Sequence, residues 1–246
     1  MNARGLYLDL VKRSLLNLTY PESEVTGDQP VADIVKARQT GGDWPRFAYS
    51  MIGWERMSNL QRVCERVIWD HVPGHFIEAG VWRGGACILM RAVLAAYDEP
   101  RMVFVADSFV GLPKPALKPD WDSDLWKHDY LKVSVTQVEQ NFTTYGLLDD
   151  QVRFVKGWFK DTLHLLNESF AVVRLDGDMY ESTMQSLEAL YPRLSVGGFL
   201  LVDDYGCFEA CRQAVHDYRD AHGVNEPIEK TDWTEAWWRK QHDIRT

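Results

Sequence analysis

From residue 76 onward, short apolar runs alternate with longer amphipathic stretches. The runs are FIEAG at 76–80, MVFVAD at 102–107, VRFV at 152–155, AVVRLD at 171–176 and GGFLLVDD at 197–204. Each run has the length and β-branched character of a buried strand, whereas the stretches between them have helical spacing. Because parallel strands need a helical crossover, this alternation predicts an α/β fold with a doubly wound, mostly parallel sheet.

The first 70 residues lack this alternation and are predicted to form a helical extension. An amphipathic pattern predicts one helix near 6–16, and a second apolar periodicity predicts a long helix over 47–71. Between them, residues 21–45 are rich in proline, glycine and polar residues, which predicts a loop or mobile arm.

Residues 71–246 are predicted to form one domain that ends in an edge hairpin. Two short strand candidates, at 226–229 and 234–239, could pair antiparallel beside the last parallel strand. The crossover helices are predicted at 85–97, 134–145, 159–167, 181–193 and 207–222.

A polar insertion at about 113–133 separates the second strand from its helix. Its sequence, PKPALKPDWDSDLWKHDYLK from 113 to 132, combines prolines, tryptophans and charges of both signs. A long insertion at the ligand-binding edge of a sheet often serves as a lid, and tryptophan side chains favour apolar contact. We therefore predict a lid, with a disordered surface loop as the alternative.

Composition and charge narrow the class of partner. A net charge of −9 without any Lys/Arg-rich tract disfavours binding to nucleic acid. The chain has no apolar stretch long enough to span a membrane, and charges interrupt its first residues where a signal peptide needs an apolar block. The four cysteines lack paired CxxC spacing, so neither disulfides nor a zinc knuckle is indicated. These features predict a cytoplasmic protein that acts on a small molecule.

Two acidic clusters follow two of the apolar runs. Asp176-Gly177-Asp178 comes after AVVRL, and Asp203-Asp204 comes after FLLV. In an open parallel sheet the strand ends face the ligand crevice, and carboxylates that converge there repel one another unless a cation neutralises them. Oxygen ligands favour Mg²⁺, Ca²⁺ or Mn²⁺ over zinc, so we predict a hard-cation site. Helix capping by Asp178 and Asp204 is the alternative.

A glycine-rich turn after the first strand predicts a cofactor site. It places Glu78, Gly80, Trp82, Gly84 and Gly85 between a strand and a helix start. Glycine permits close approach of the backbone to a ligand, and a helix start offers free N–H groups. The spacing is not GxGxxG, which argues against a dinucleotide.

Two further segments complete the predicted cofactor site. Asp107-Ser108-Phe109 ends the second strand, where an acid can accept hydrogen bonds from ribose hydroxyls. Gly157-Trp158-Phe159 could flank an adenine, although helix capping and core packing would explain it equally well. An acidic pocket without a phosphate-binding motif suits a cofactor with a positive centre, such as the sulfonium of S-adenosylmethionine, better than NAD or ATP.

Seven blocks of the chain, in order, resemble the TylF/MycF family of S-adenosylmethionine- and Mg²⁺-dependent sugar O-methyltransferases, which act on macrolides and related antibiotics. The resemblance implies a Rossmann-like class I methyltransferase fold with a seven-stranded sheet, a glycosylated natural product as substrate, and a homodimer or higher homo-oligomer. The blocks are 6–16, GDWP at 42–45, GVWRGGA at 80–86, VADSFVGLP at 105–113, LLDDQVRFVKGWFKDTL at 147–163, RLDGDMYEST at 174–183 and GGFLLVDDYG at 197–206.

The resemblance also implies roles for individual residues. Asp176, Asp203 and Asp204 match the family's metal ligands, and Asp178 matches its proposed general base. The family's S-adenosylmethionine contacts match Glu78, Gly80, Asp107, Ser108 and Phe109, with Asp176 also at the cofactor.

Two alternatives to this activity stay open from the sequence. One is a catechol-type O-methyltransferase, although that class commonly has a lysine where this chain has Met179. The other is a non-catalytic S-adenosylmethionine-binding protein. His128 in the insertion is a second candidate base, because histidine titrates near neutral pH.

Overall fold

A seven-stranded sheet forms the centre of the computed structural model, which describes residues 2–243. The strand order is β3-β2-β1-β4-β5-β7-β6; the first five pair in parallel, and β7 runs antiparallel to both β5 and β6. This order confirms the predicted doubly wound sheet with an antiparallel edge hairpin. The strands are β1 (His75–Ala79), β2 (Val103–Asp107), β3 (Val152–Lys156), β4 (Phe170–Leu175), β5 (Leu194–Val202), β6 (Glu229–Lys230) and β7 (Ala236–Arg239).

Helices cover both faces of the sheet, as continuous burial along its central strands requires. Phe76 of β1 points into one apolar core, and its neighbour Ile77 points into the other. Helices α1, α3, α4 and α5 pack on the first face, and α7 and α8 pack on the second. The helices are α1 (Ala3–Leu15), α2 (Val31–Thr40), α3 (Gly53–Trp69), α4 (Gly85–Tyr97), α5 (Val135–Thr144), α6 (Phe159–Thr162), α7 (Tyr180–Leu190) and α8 (Glu209–His222).

No helix within residues 2–243 has the length and apolar character needed to cross a membrane.

The N-terminal extension differs from its prediction in one segment. Residues 21–45, predicted as a loop or mobile arm, contain a 3₁₀ turn and helix α2. Their order depends on an ion pair, since the guanidinium of Arg38 is 1% exposed and lies 3.2 Å from Glu24. The carboxylate of Glu24 in turn accepts N–H bonds from Arg46, Phe47 and Ala48. A polar core of this kind leaves no apolar periodicity in the sequence.

Two predicted helices are shorter than expected. The helix predicted over 47–71 begins only at Gly53. The N–H groups of Tyr49 and Ser50 donate to the carbonyl oxygen of Leu15, so residues 47–52 are held in a non-helical conformation. The helix predicted at 159–167 is α6 followed by a 3₁₀ turn, Leu163–Leu165.

The insertion at 113–133 has defined turns. Three 3₁₀ turns lie at Lys118–Asp120, Leu125–Lys127 and Asp129–Leu131. Its residue Asp120 is buried, although most of the insertion is exposed.

Candidate active site

A cavity of about 500 Å³ opens at the carboxyl ends of the parallel strands. This volume lies in the range that binds small molecules and cofactors. Three of the predicted site residues, all within the described part of the chain, do not line this cavity: Gly84, Phe109 and Gly157. Phe109 instead packs in the core against Phe154. The other predicted site residues all line it, namely Glu78, Gly80, Trp82, Gly85, Asp107, Ser108, Trp158, Phe159, Asp176, Asp178, Asp203 and Asp204.

Four carboxylates meet on one side of this cavity. Asp176, Asp203 and Asp204 each offer an oxygen, and these oxygens all lie within 4.8 Å of one another. Asp178 donates its backbone N–H to Asp204 Oδ2 at 2.9 Å, so the turn after β4 meets the turn after β5. The structure therefore brings together both acidic clusters that the sequence singled out.

Burial and mutual repulsion perturb these carboxylates. Burial, with a contribution from Asp203, raises the pKa of Asp178 to about 7. Burial and the neighbouring carboxylates raise the pKa values of Asp176 and Asp204 well above the ordinary value for aspartate. A site with these properties can accept a proton or bind a cation near neutral pH.

Two buried arginines, which the sequence analysis missed, partly neutralise the cluster. Arg174 of β4 is fully buried and pairs with Glu78 and Asp203, and with Asp176 at 2.7 Å. Arg56 of α3 lies 2.5 Å from the other oxygen of Asp203. The available signal was Arg174 itself, because a charged residue within a buried strand requires partners of opposite charge.

The donor set fits a hard divalent cation. Asp176, Asp203 and Asp204 are oxygen-only ligands, which is the set that Mg²⁺ prefers. The cavity-lining carboxylates outnumber Arg56 and Arg174, so the site keeps an excess of negative charge. These three aspartates could hold the ion.

Glycines bring the backbone close together on the cofactor side. Gly80 has φ +92°, and a Cβ there would lie 1.7 Å from the carbonyl oxygen of Asp176, so only glycine fits between β1 and β4. A Cβ on Gly85 would lie 2.5 Å from the carbonyl oxygen of Tyr49. Close packing against Tyr49 thus requires glycine at the start of α4, where Gly85 and Ala86 line the cavity.

The two acids of the predicted cofactor site have different surroundings. Asp107 accepts N–H bonds from Val81 at 2.8 Å and from Phe109 at 2.7 Å, while burial raises its pKa. Glu78 is engaged by Arg174 and by the thiol of Cys87, at 2.9 Å, and burial also raises its pKa. Asp107 thus holds the glycine turn against the end of β2, and Glu78 connects β1 to the carboxylate cluster.

The insertion and the N-terminal segment meet over the cavity. Tyr130 donates its hydroxyl to the Pro45 carbonyl at 2.5 Å and stacks on Trp44 at 5.0 Å between ring centroids. Trp82 of the glycine turn donates its indole N–H to the Tyr130 carbonyl at 3.0 Å. The sequence analysis did not place Trp44 or Tyr130 at the site.

His128, the second candidate base, lies in the same aromatic group. Its ring meets Trp44 edge-on at 5.4 Å, and its Nε2 lies 3.9 Å from Asp124. The side chain is about half exposed, at 45%. These contacts assign His128 to the junction between insertion and N-terminal segment.

Known proteins similar to this chain are O-methyltransferases. The family model described as Macrocin-O-methyltransferase (TylF) matches residues 13–240. The 8-demethyl-8-(2,3-dimethoxy-alpha-L-rhamnosyl)-tetracenomycin-C 4'-O-methyltransferase of Streptomyces olivaceus is 50% identical over 97% of this chain and 94% of that enzyme. The mycinamicin III 3''-O-methyltransferase of Micromonospora griseorubida is 48% identical over 96% of both chains.

Solved structures agree with these sequence matches. The O-methyltransferase NovP superposes with a TM-score of 0.92 at 41% identity, over 97% of this chain and 100% of that one. A caffeoyl-CoA O-methyltransferase homologue from Staphylococcus aureus, at 14% identity and a TM-score of 0.53, shares the fold.

Proposed function

Because the chain belongs to the TylF macrocin-O-methyltransferase family, we propose that it transfers a methyl group from S-adenosylmethionine to a sugar hydroxyl of a glycosylated natural product. One relative is named for a rhamnosyl-bearing tetracenomycin, and a third, 42% identical, for a novobiocin precursor. The observation that supports this most directly is the single cavity in which the carboxylates after β4 and β5 face the glycine turn after β1.

The methyl donor would bind on the side of the cavity next to the glycine turn. Gly80 and Gly85 line the cavity there and let the turn pack closely against the backbone of Asp176 and Tyr49, and Asp107 lies at the end of β2 where a ribose would bind. Trp158 and Phe159 also line the cavity and would offer ring surfaces for the adenine. The nearby carboxylates favour a cationic sulfonium over an anionic cofactor.

Asp176, Asp203 and Asp204 would hold Mg²⁺. When bound there, the ion would orient neighbouring substrate oxygens and lower the pKa of the hydroxyl. Arg174 and Arg56 hold the carboxylates in place by ion pairs with Asp176 and Asp203.

Asp178 would act as the general base. Its pKa of about 7 is matched to proton transfer near neutral pH, where general bases work best. The residue has φ +60°, a conformation uncommon outside glycine, and its N–H bond to Asp204 fixes it beside the metal ligands. Asp178 would accept the proton of the sugar hydroxyl as the hydroxyl oxygen bonds to the methyl carbon and S-adenosylhomocysteine leaves.

The insertion and N-terminal segment exclude water from this reaction. Trp44, Leu125 and Leu131 line the cavity from these segments, and Tyr130 bonds the insertion to Pro45. The Asp178 carboxylate would gain a proton and the sulfonium would become a neutral thioether, so both charges would be lost, and a site shielded from water favours that loss.

Mass spectrometry can test this proposal. The enzyme is incubated with S-adenosylmethionine, Mg²⁺ and a panel of glycosides, their aglycones and simple catechols. We expect one methyl group to be gained by glycosides only, at a sugar position. Methylation of the catechols or free aglycones, with glycosides left unchanged, would contradict the proposed substrate class.

A further inference from the structure

Asp120 is a buried acid within an otherwise polar and exposed insertion. It ends the 3₁₀ turn Lys118–Asp120 and is 1% exposed, whereas the next two residues, Trp121 and Asp122, are exposed. A charged side chain is rarely buried without partners, because its lost hydration must be replaced by hydrogen bonds. Its partners therefore indicate its role.

Those partners are backbone groups about 60 residues further along the chain. Asp120 Oδ1 accepts the N–H of Tyr180 at 2.7 Å, and Oδ2 accepts the N–H of Glu181 at 3.0 Å. Tyr180 and Glu181 begin α7, and the preceding residue Met179 has no side-chain acceptor to cap it. The insertion thus supplies the missing cap of α7, and the negative charge also suits the positive end of the helix dipole.

The capped end of α7 continues directly from the turn that carries Asp178. The start of this turn is fixed by the N–H of Asp176, which donates to the carbonyl oxygen of Ala79 at 2.8 Å. In its middle, Asp178 has a positive φ, a conformation that is unfavourable for a residue other than glycine and persists when its surroundings fix it. Its far end is fixed by the two bonds to Asp120.

The insertion on both sides of Asp120 also lines the cavity. Pro113 and Ala116 contact it before Asp120, and Leu125 and Leu131 contact it afterwards. One carboxylate therefore connects the wall of the substrate cavity to the end of the turn that presents Asp178.

We propose that Asp120 is a positioning residue that couples the placement of the insertion over the cavity to the placement of Asp178. This inference rests on the proposed function of Asp178 as the base. Misplacement of a catalytic group by ~1 Å can cost ~100-fold in rate, so release of this tether should lower turnover rather than cofactor affinity.

The test compares Asp120→Ala, Asp120→Asn and the control Asp122→Ala, which changes an exposed acid of the same insertion. Turnover of a glycoside substrate gives kcat and KM, calorimetry gives the affinity for S-adenosylmethionine, and hydrogen exchange with mass spectrometry follows the backbone. Asparagine keeps one acceptor oxygen, so it should restore part of what alanine loses.

We expect Asp120→Ala to lower kcat by roughly 10- to 100-fold, with Asp120→Asn in between and Asp122→Ala unchanged. Affinity for S-adenosylmethionine should stay within about threefold of wild type, since Asp120 is distant from the glycine turn in the chain and caps α7 instead. Hydrogen exchange should rise in two separate segments, 113–133 and 176–183, and not in β4.

A kcat within twofold of wild type for Asp120→Ala would overturn the proposal, as would faster exchange in α7 alone. If the wild-type enzyme methylates no sugar hydroxyl, the proposed function fails, while hydrogen exchange still decides whether Asp120 joins the two segments.

Discussion

Replacement of Arg174 by glutamine is expected to lower the free energy of unfolding by about 3–5 kcal/mol, the usual cost of removing one partner from a buried ion pair. Arg174 is fully buried and pairs with three carboxylates, those of Glu78, Asp176 and Asp203. Glutamine is shorter and neutral, so it leaves buried negative charge without compensation. For a chain of this size, the loss corresponds to a fall in Tm of about 10 °C.

Urea unfolding followed by circular dichroism would measure this loss, with Arg153→Gln as the control. Arg153 lies in β3 with an exposed side chain, so its replacement should change the free energy of unfolding by less than about 0.5 kcal/mol.

The loss should also depend on pH, with a sign that the structure fixes. Burial already raises the pKa of Glu78, and removal of the Arg174 charge raises it further. A carboxylate whose folded pKa exceeds its unfolded value destabilises the fold above the folded pKa, and this penalty falls as pH drops toward the unfolded value of about 4.3. The deficit of Arg174→Gln should therefore be larger at pH 8 than at pH 5. A deficit below about 1 kcal/mol at pH 8, or one that grows on acidification, would refute this reasoning.

Three other variants test separate parts of the account. Gly80→Ala should abolish binding of S-adenosylmethionine in calorimetry, because its Cβ would meet the Asp176 carbonyl at 1.7 Å, whereas Gly27→Ala, with no atom within 4 Å of the added Cβ, should bind normally. Burial opposes ionisation of Glu24, but bonds from Asn17 and from backbone N–H groups lower its pKa overall. Its stabilisation is thus fully present above the unfolded pKa of about 4.3 and is lost as pH falls through the lower folded pKa. Glu24→Gln should therefore lower the urea midpoint more at pH 7 than at pH 3. Asp178→Asn should reduce kcat by roughly 100-fold or more while S-adenosylmethionine still binds in calorimetry; retention of most turnover would exclude Asp178 as the base.

The parallel sheet and the acidic edge of the cavity were predictable because they depend on local patterns. Short apolar runs identified all five parallel strands, and Asp176 and Asp203 follow two of them directly. Parallel strand ends share one edge of a sheet, so proximity in space followed from position in the chain. The family resemblance added roles for these residues that the pattern alone left open.

The polar connections were not predictable in the same way. The order of the N-terminal segment depends on the buried pair of Glu24 and Arg38, and the insertion depends on Asp120 and Tyr130. In each case a polar side chain bonds to a partner distant in sequence. Hydrophobic periodicity carries no information about such bonds, so residues 21–45 were expected to be a loop or mobile arm, and the contacts that order the predicted lid were not foreseen.

Arg174 illustrates the same limit within a strand that was predicted well. The strand AVVRL was recognised from its apolar residues, but its one charge was not connected to the carboxylates beyond it. In the structure Arg174 and Arg56 share Asp203 between them. Arg56 lies in helix α3, far from Asp203 in the chain, so its proximity to this carboxylate could not be inferred from local sequence.

Dependence of methyl transfer on a divalent cation tests the central claim most directly. The enzyme is stripped of metal by chelation, its folding is checked by circular dichroism, and turnover of a glycoside is measured while Mg²⁺ is added back. If Asp176, Asp203 and Asp204 hold the ion, turnover should disappear after chelation and return in a saturable manner, and Asp204→Asn should weaken this response. Full turnover by the stripped enzyme would show that the three aspartates do not bind a catalytic metal.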